Sequence, residues 1–221
     1  MALTRDSIAG GLFEKIAAEG ARLGLIRPLT EEERAASLRE TLARRPDSGD
    51  VWVFAYGSLI WNPAIEVVET KQARLPGWRR RFCLETPVGR GTPEAPGLVL
   101  ALEPGGACEG VIHRVAEGAA PHELPLLWRR EMVADAYIPS WMAGETDAGE
   151  HTALAFVMDQ TCARYTGPMD ESDAARKIAR AVGALGPNRD YLFSTAEHLR
   201  ELDMPDAYLD RLVDLVENEK D

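Results

Sequence analysis

The sequence predicts an α+β fold in which a curved sheet or barrel occupies the middle of the chain, with helices before it, one within it and more after it. Three observations carry this. Residues 51–159 break into short β-favouring runs separated by Gly, Pro and Asp clusters. Their connections are mostly too short for crossover helices, which favours antiparallel pairing over a doubly wound sheet. The flanking regions, residues 1–50 and those beyond about 165, change to helical spacing.

The elements follow in order. Thr30-Glu31-Glu32-Glu33 is a capping box, and Ala35, Leu38 and Leu42 continue it at helical spacing, so a helix is predicted that stops before Pro46. The turn-rich stretch 46–50 then marks a boundary between a helical extension, residues 1–50, and a main domain, residues 51–221. Strands are predicted at 51–56, 65–75, 78–84, 98–102, 110–115, 136–142 and 152–158. A helix at 122–132 interrupts them, with Leu124, Leu127, Trp128 and Glu131 spaced to share one face. Helices at 170–182, 188–202 and 207–218 complete the chain, broken at Gly186-Pro187 and Asp203-Met204-Pro205.

Composition narrows the function. With 221 residues, 45% hydrophobic and 28% charged, the chain can bury a substantial core. Its 36 acidic against 25 basic residues leave a formal charge of −11, which disfavours nucleic acid, anionic membrane surfaces and polyanionic ligands as partners. Cys83, Cys108 and Cys162 are odd in number and form no CxxC pair, which points away from a disulfide framework or a zinc site and towards a reducing compartment. No apolar stretch reaches signal-peptide or membrane-helix length, so a cytoplasmic location is expected.

The strand ending at Ala55 runs into Tyr56-Gly57-Ser58-Leu59-Ile60-Trp61. Gly57 lets the backbone take conformations closed to other residues and come close to a ligand. Successive free N–H groups at such a turn can cradle a carboxylate. Read by itself, the same stretch is more simply a strand ending in a turn with core aromatics, and a short Gly-Ser element carries little weight alone. Glu131 read alone is an exposed helix carboxylate paired with Arg129 or Arg130.

The order of further motifs changes their weight. Pro76-Gly77-Trp78-Arg79-Arg80-Arg81-Phe82-Cys83 is followed by Arg90-Gly91-Thr92-Pro93, Gly110-Val111-Ile112-His113-Arg114-Val115, Trp128-Arg129-Arg130-Glu131-Met132 and Gly186-Pro187-Asn188-Arg189-Asp190-Tyr191-Leu192. Together with Tyr56-Gly57-Ser58-Leu59 this series resembles the ChaC family of γ-glutamylcyclotransferases, over about residues 51–213. The resemblance implies a closed or nearly closed mixed β-barrel with flanking helices and no cofactor or metal. It implies a small γ-glutamyl substrate, glutathione, held by the loop Tyr56, Gly57, Ser58 and Leu59, with Glu131 as the catalytic carboxylate.

The chemistry so implied needs no protein nucleophile, because the substrate's own α-amine attacks its γ-carbonyl to form 5-oxoproline. Ser58, outside any GxSxG frame, is therefore read as a ligand hydrogen bond. Glu131 would move protons, its pKa raised by apolar walls for which Leu127, Trp128 and Met132 are the candidates. Arg80, Arg81 and Arg90 are candidates for gripping a substrate carboxylate, against surface pairing with Glu85 and Glu94. Tyr137, Tyr165 and Tyr191 could each place a hydroxyl in the cavity, with Tyr191 where the family's carboxyl-terminal helix begins to cover it. His113, His122, His151 and His198 fall at no metal-ligand spacing. Two alternatives stay open: a cyclotransferase for other γ-glutamyl amines or amino acids, and a non-catalytic binding or regulatory protein on the same fold.

Overall fold

The apolar run Val51–Ala55 forms β1, one strand of a five-stranded closed barrel in the computed structural model, which describes residues 3–219. Residues 1–2 and 220–221, the outer ends of the two predicted domains, lie outside the described residues. The other barrel strands are β2 (Glu69–Thr86), β3 (Gly97–Val115), β4 (Tyr137–Thr146) and β5 (Gly149–Met158). Around the barrel the order is β1-β3-β2-β4-β5. β1 runs antiparallel to β3 and parallel to β5, so the barrel is mixed, as the family resemblance implied. Alternate side chains of all strands point inward, and Phe54, Phe82, Leu98, Leu100, Leu102 and Phe156 fill the core.

The predicted strands 65–75 and 78–84 are one strand, β2, and 98–102 and 110–115 are likewise one, β3. Pro76-Gly77 and Pro104-Gly105 read as strand ends because proline cannot donate to a ladder and glycine weakens it. In the folded chain they face each other: Pro76 pairs with Ala107, Trp78 with Pro104, and the register shifts between Pro76 and Trp78. Gly77 takes φ of +79° at this bulge, which bends two long strands rather than ending them.

Helices pack on this frame. The capping box at Thr30 and Glu33 starts α3 (Glu31–Ala43), with Thr30 Oγ1 accepting from Glu33 N–H. Before it lie α1 (Arg5–Ala9) and α2 (Leu12–Arg22). The helix between β3 and β4 is α4 (Ala120–Glu131). The amino-terminal helices are tied to it: Arg5 Nη2 donates to Glu123 Oε1 at 2.7 Å, and Arg129 Nε donates to Glu14 Oε1 at 2.7 Å. After the barrel come α5 (Glu171–Arg180), the two-residue strands β6 (Val182–Gly183) and β7 (Gly186–Pro187), α6 (Asn188–Glu201) and α7 (Ala207–Asn218). The fully buried Asn188 amide joins α6 to β3: its Oδ1 accepts from Leu98 N–H and its Nδ2 donates to Leu98 O. That pair fixes where Tyr191, one turn later, meets the barrel.

Candidate active site

The loop after β1 lines a cavity of about 200 Å³, and Glu131 lines the same cavity. Backbone bonds fold the loop tightly: Ile60 N–H donates to Gly57 O and Asn62 N–H to Ser58 O. The N–H groups of Gly57, Ser58 and Leu59 make no hydrogen bond among the described residues. Three adjacent unpaired donors on a cavity-lining loop are the kind of group that can cradle a carboxylate or an oxyanion.

Gly57 is needed for a narrower reason than expected. It does not lie in the left-handed region, so conformational freedom is not the constraint. A Cβ at this position would stand 2.9 Å from the Tyr191 hydroxyl oxygen, so a larger residue would push that hydroxyl aside, and close approach is the constraint.

The loop is held from behind by two buried polar side chains. His113 Nε2 donates to Leu59 O at 2.9 Å, while its Nδ1 accepts from the Thr70 hydroxyl; burial pushes its pKa down and keeps the ring neutral. Arg80, whose side chain is 1% exposed, donates to Tyr56 O and pairs with Asp206, the residue that caps α7. Removing one partner of such a pair strands the other, so Arg80→Met is expected to destabilise the fold by about 3 kcal/mol, measurable in denaturant melts.

Glu131 ends α4, so its carboxylate sits where the chain leaves the helix towards Val133 and Ala134. Its side chain is 16% exposed, and Arg130 Nε lies 3.0 Å from Oε1. Burial raises the Glu131 pKa and Arg130 works against that rise. The negative end of the α4 dipole adds to the effect of burial. Arg130 is itself buried and reaches further, donating through Nη2 to Ser58 Oγ at 2.7 Å and through Nη1 to Asn62 O. One guanidinium thus joins the carboxylate to the loop. The pairing foreseen for Glu131 with a neighbouring arginine is present, but inside the cavity rather than at the surface.

Three tyrosines complete the wall, Tyr56, Tyr137 and Tyr191. Burial lifts the Tyr56 and Tyr137 phenols well above their usual value and Tyr191 to about 12, with the negative charge of Glu131 adding to each. All three are therefore neutral donors. Tyr56 spends its proton on Phe156 O and Tyr137 on Leu100 O. The Tyr191 hydroxyl has no carbonyl to donate to among the described residues and stands beside Gly57.

Of the three arginines considered from sequence, only Arg90 lines the cavity, with its guanidinium 5.7 Å from the centre of the Tyr191 ring. Arg80 serves the loop from behind, and Arg81 donates to Met169 O and lies near Glu103. Neither pairs with Glu85 or Glu94; Glu85 instead bonds Lys177. Tyr165 donates to Glu103, outside the cavity. The expected walls Leu127, Trp128 and Met132 belong to the core: the α4 face that carries them packs on the barrel, and Trp128 meets Phe156 edge to face. Apolar residues beside Glu131 come instead from Leu100, Val133, Ala134 and Phe156.

Sequence reasoning did not find Arg164, nor Leu3, Phe13, Ile16, Ala17 and Ile26, which also line the cavity. The amphipathic spacing of Phe13, Ile16, Ala17 and Gly20 signals a buried face of α2. α2 is tied to α4 by the Glu14–Arg129 pair.

Comparison with known proteins places this architecture. The family model for ChaC-like proteins matches residues 51–219. The chain is 46% identical, over 183 residues, to the glutathione-specific γ-glutamylcyclotransferase of Escherichia coli, covering 82% of this chain and 79% of that one. It is 30% identical over 175 residues to γ-glutamylcyclotransferase 2-3 of Arabidopsis thaliana, covering 75% and 88% respectively. The crystal structure of a yeast γ-glutamylcyclotransferase specific to glutathione superposes with a TM-score of 0.69 at 21% identity, over 77% of this chain and 96% of that one, which shows a shared fold. A mixed barrel with the Tyr56-to-Leu59 loop and Glu131 facing one cavity, together with a match across three quarters of its length, makes this chain a member of the ChaC-like family.

Proposed function

We propose that this protein is a γ-glutamylcyclotransferase that cleaves glutathione to 5-oxoproline and Cys-Gly, with Glu131 as the proton-transfer group. The observation that carries the reading is a buried carboxylate of raised pKa sharing one cavity with three unpaired backbone N–H groups. The relatives named for glutathione supply the substrate.

The reaction forms a bond between the substrate's α-nitrogen and its γ-carbon and breaks the bond from the γ-carbon to the cysteinyl nitrogen. Attacking and attacked atoms already belong to one molecule. Holding the glutamyl chain bent therefore accounts for much of the rate, up to about 7–11 kcal/mol in the best intramolecular cases. The α-amine is mostly ammonium at neutral pH, its pKa being near ~8, and must lose a proton before attack. Two protons leave the α-nitrogen and two arrive at the departing nitrogen, so one carboxylate can take and give in turn. Burial raises the affinity of Glu131 for the proton, while Arg130 keeps the ionised form accessible.

The glutamyl carboxylate and the charge developing on the γ-oxygen call for donors. The N–H groups of Gly57, Ser58 and Leu59, the Tyr191 hydroxyl and the Arg90 guanidinium are the ones this cavity offers. In this reading residues 51–221 carry the reaction and residues 1–50 form a helical extension. A cytoplasmic setting fits three free cysteines, and among the described residues no helix is long and apolar enough to cross a membrane.

Incubating the purified protein with glutathione and following 5-oxoproline is expected to show stoichiometric product and Cys-Gly. Absence of 5-oxoproline from glutathione would overturn the proposal.

A further inference from the structure

The cavity is lined by three arginines whose surroundings differ. Arg130 is committed to Glu131, Ser58 and Asn62 O. Arg90 lies over the Tyr191 ring and donates to Pro187 O at 3.2 Å. Arg164, on the segment after β5, has no carboxylate within ion-pair distance and no hydrogen bond to its guanidinium among the described residues. Its Nη2 is nevertheless shut off from solvent. The backbone beneath it is anchored, because Glu85 N–H donates to Arg164 O at 2.9 Å and Leu84 bridges to Tyr165. A guanidinium N–H that is neither hydrated nor bonded carries a desolvation cost that an incoming acceptor would remove.

Arg90 and Arg164, the two cations not paired with Glu131, stand on different segments of the cavity wall. Arg90 sits on Tyr191, which stands against Gly57, so it belongs with the loop. Arg164 instead stands on the segment tied to β2 at Leu84 and Glu85, and Leu84 lines the cavity beside it. Glutathione carries two carboxylates, one on the glutamyl residue and one on the terminal glycine. The first has the loop donors and Arg90 to meet it.

We propose that Arg164 binds the carboxylate at the leaving-group end of the substrate, which in glutathione is that of the terminal glycine. This rests on the glutathione reading above and adds a residue that selects the tripeptide over shorter γ-glutamyl compounds. The glycine carboxylate is unchanged by ring closure, so Arg164 grips ground state and transition state alike. Such a contact lowers KM and leaves kcat untouched.

The test compares glutathione with its glycine carboxamide, in which that carboxylate is masked, using the full chain as wild type, Arg164→Gln and Arg164→Lys. For wild type, masking is expected to raise KM by about 10- to 100-fold, the range of a charge-assisted hydrogen bond, with kcat little changed. Arg164→Gln is expected to show the same rise with glutathione itself and no further rise with the carboxamide, and Arg164→Lys to recover part of it. Wild type handling both substrates equally would overturn the proposal whatever the variants do. So would Arg164→Gln losing equally on both, or losing kcat alone. No 5-oxoproline from wild type and glutathione would overturn the activity reading as well, whereas any of the former results in an active enzyme sinks only the role of Arg164.

Discussion

Replacing Glu131 by Gln is expected to lower kcat/KM for glutathione by about 10²- to 10⁴-fold, the usual worth of a positioned acid–base group. The amide keeps the shape of the carboxyl group and can still accept from Arg130 Nε, so the Arg130 bonds to Ser58 and Asn62 O have no reason to change. What is lost is the capacity to take the ammonium proton and return it to the departing amine. The loss should fall mainly on kcat, because binding of the glutamyl group depends on the loop donors, and the melting temperature should move little. A variant that forms 5-oxoproline at close to the wild-type rate would show that another group moves the protons.

Arg130→Met should produce the second large effect, and its signature lies in pH. Burial pushes the Glu131 pKa up and Arg130 pulls it down. Without the guanidinium, burial acts unopposed and the pKa rises further. The ionised base then appears only at higher pH, so the acid limb of the kcat/KM profile should move in the alkaline direction. Activity near neutrality should fall and recover in part as pH is raised.

Stability should respond in the same sense. With the folded pKa above its unfolded value of about 4.5, the folded state holds a proton that the unfolded chain releases. Stability is then present in full below the unfolded value and falls as pH rises towards the folded one. The variant should therefore lose more against wild type at about pH 8 than at about pH 5, approaching about 3–5 kcal/mol where the carboxylate is forced to ionise without a partner. Melting curves at both values check this. A pH profile that stays in place would mean that Glu131 does not titrate in the step being followed.

The helices were the most legible part of the fold, and the reason is local. The Thr30–Glu33 capping box, the apolar spacing of α4 and the Gly and Pro breaks around α6 and α7 involve residues within a few positions of one another. Each appears in the structure within about two residues of its expected place. The strands were misjudged in number because Pro76-Gly77 and Pro104-Gly105 carry the local chemistry of a turn. Whether such a pair ends a strand or bends it depends on what lies opposite, and here they face each other across a bulge.

The same division runs through the site. The order of motifs along the chain singled out the Tyr56-to-Leu59 loop, Glu131, Arg90 and Tyr191, and all of them line one cavity. Local residue types could not separate Arg80 and Arg81 from Arg90, since all three are arginines next to a strand or its end. The pairing of Arg80 with Asp206 spans more than a hundred positions, and it takes that side chain away from the cavity. Likewise the wall from α2 depends on contacts far apart in sequence, among them the pairing of Glu14 with Arg129 of α4.

Residue chemistry and short-range spacing were therefore enough to establish the α+β class and the helix ends, because those depend on propensity, capping and patterning, while the loop and the carboxylate were singled out only by the family resemblance that the order of motifs carries. Closure of the barrel decided the remainder. Contacts between distant residues brought Arg130 between Glu131 and Ser58 and left the Tyr191 hydroxyl against Gly57. Among the described residues they also left the Arg164 guanidinium without a hydrogen-bond partner at the cavity wall. Burial, and with it the raised pKa of Glu131 and of the three tyrosines, is a property of those long-range contacts and is written in no single stretch of the chain.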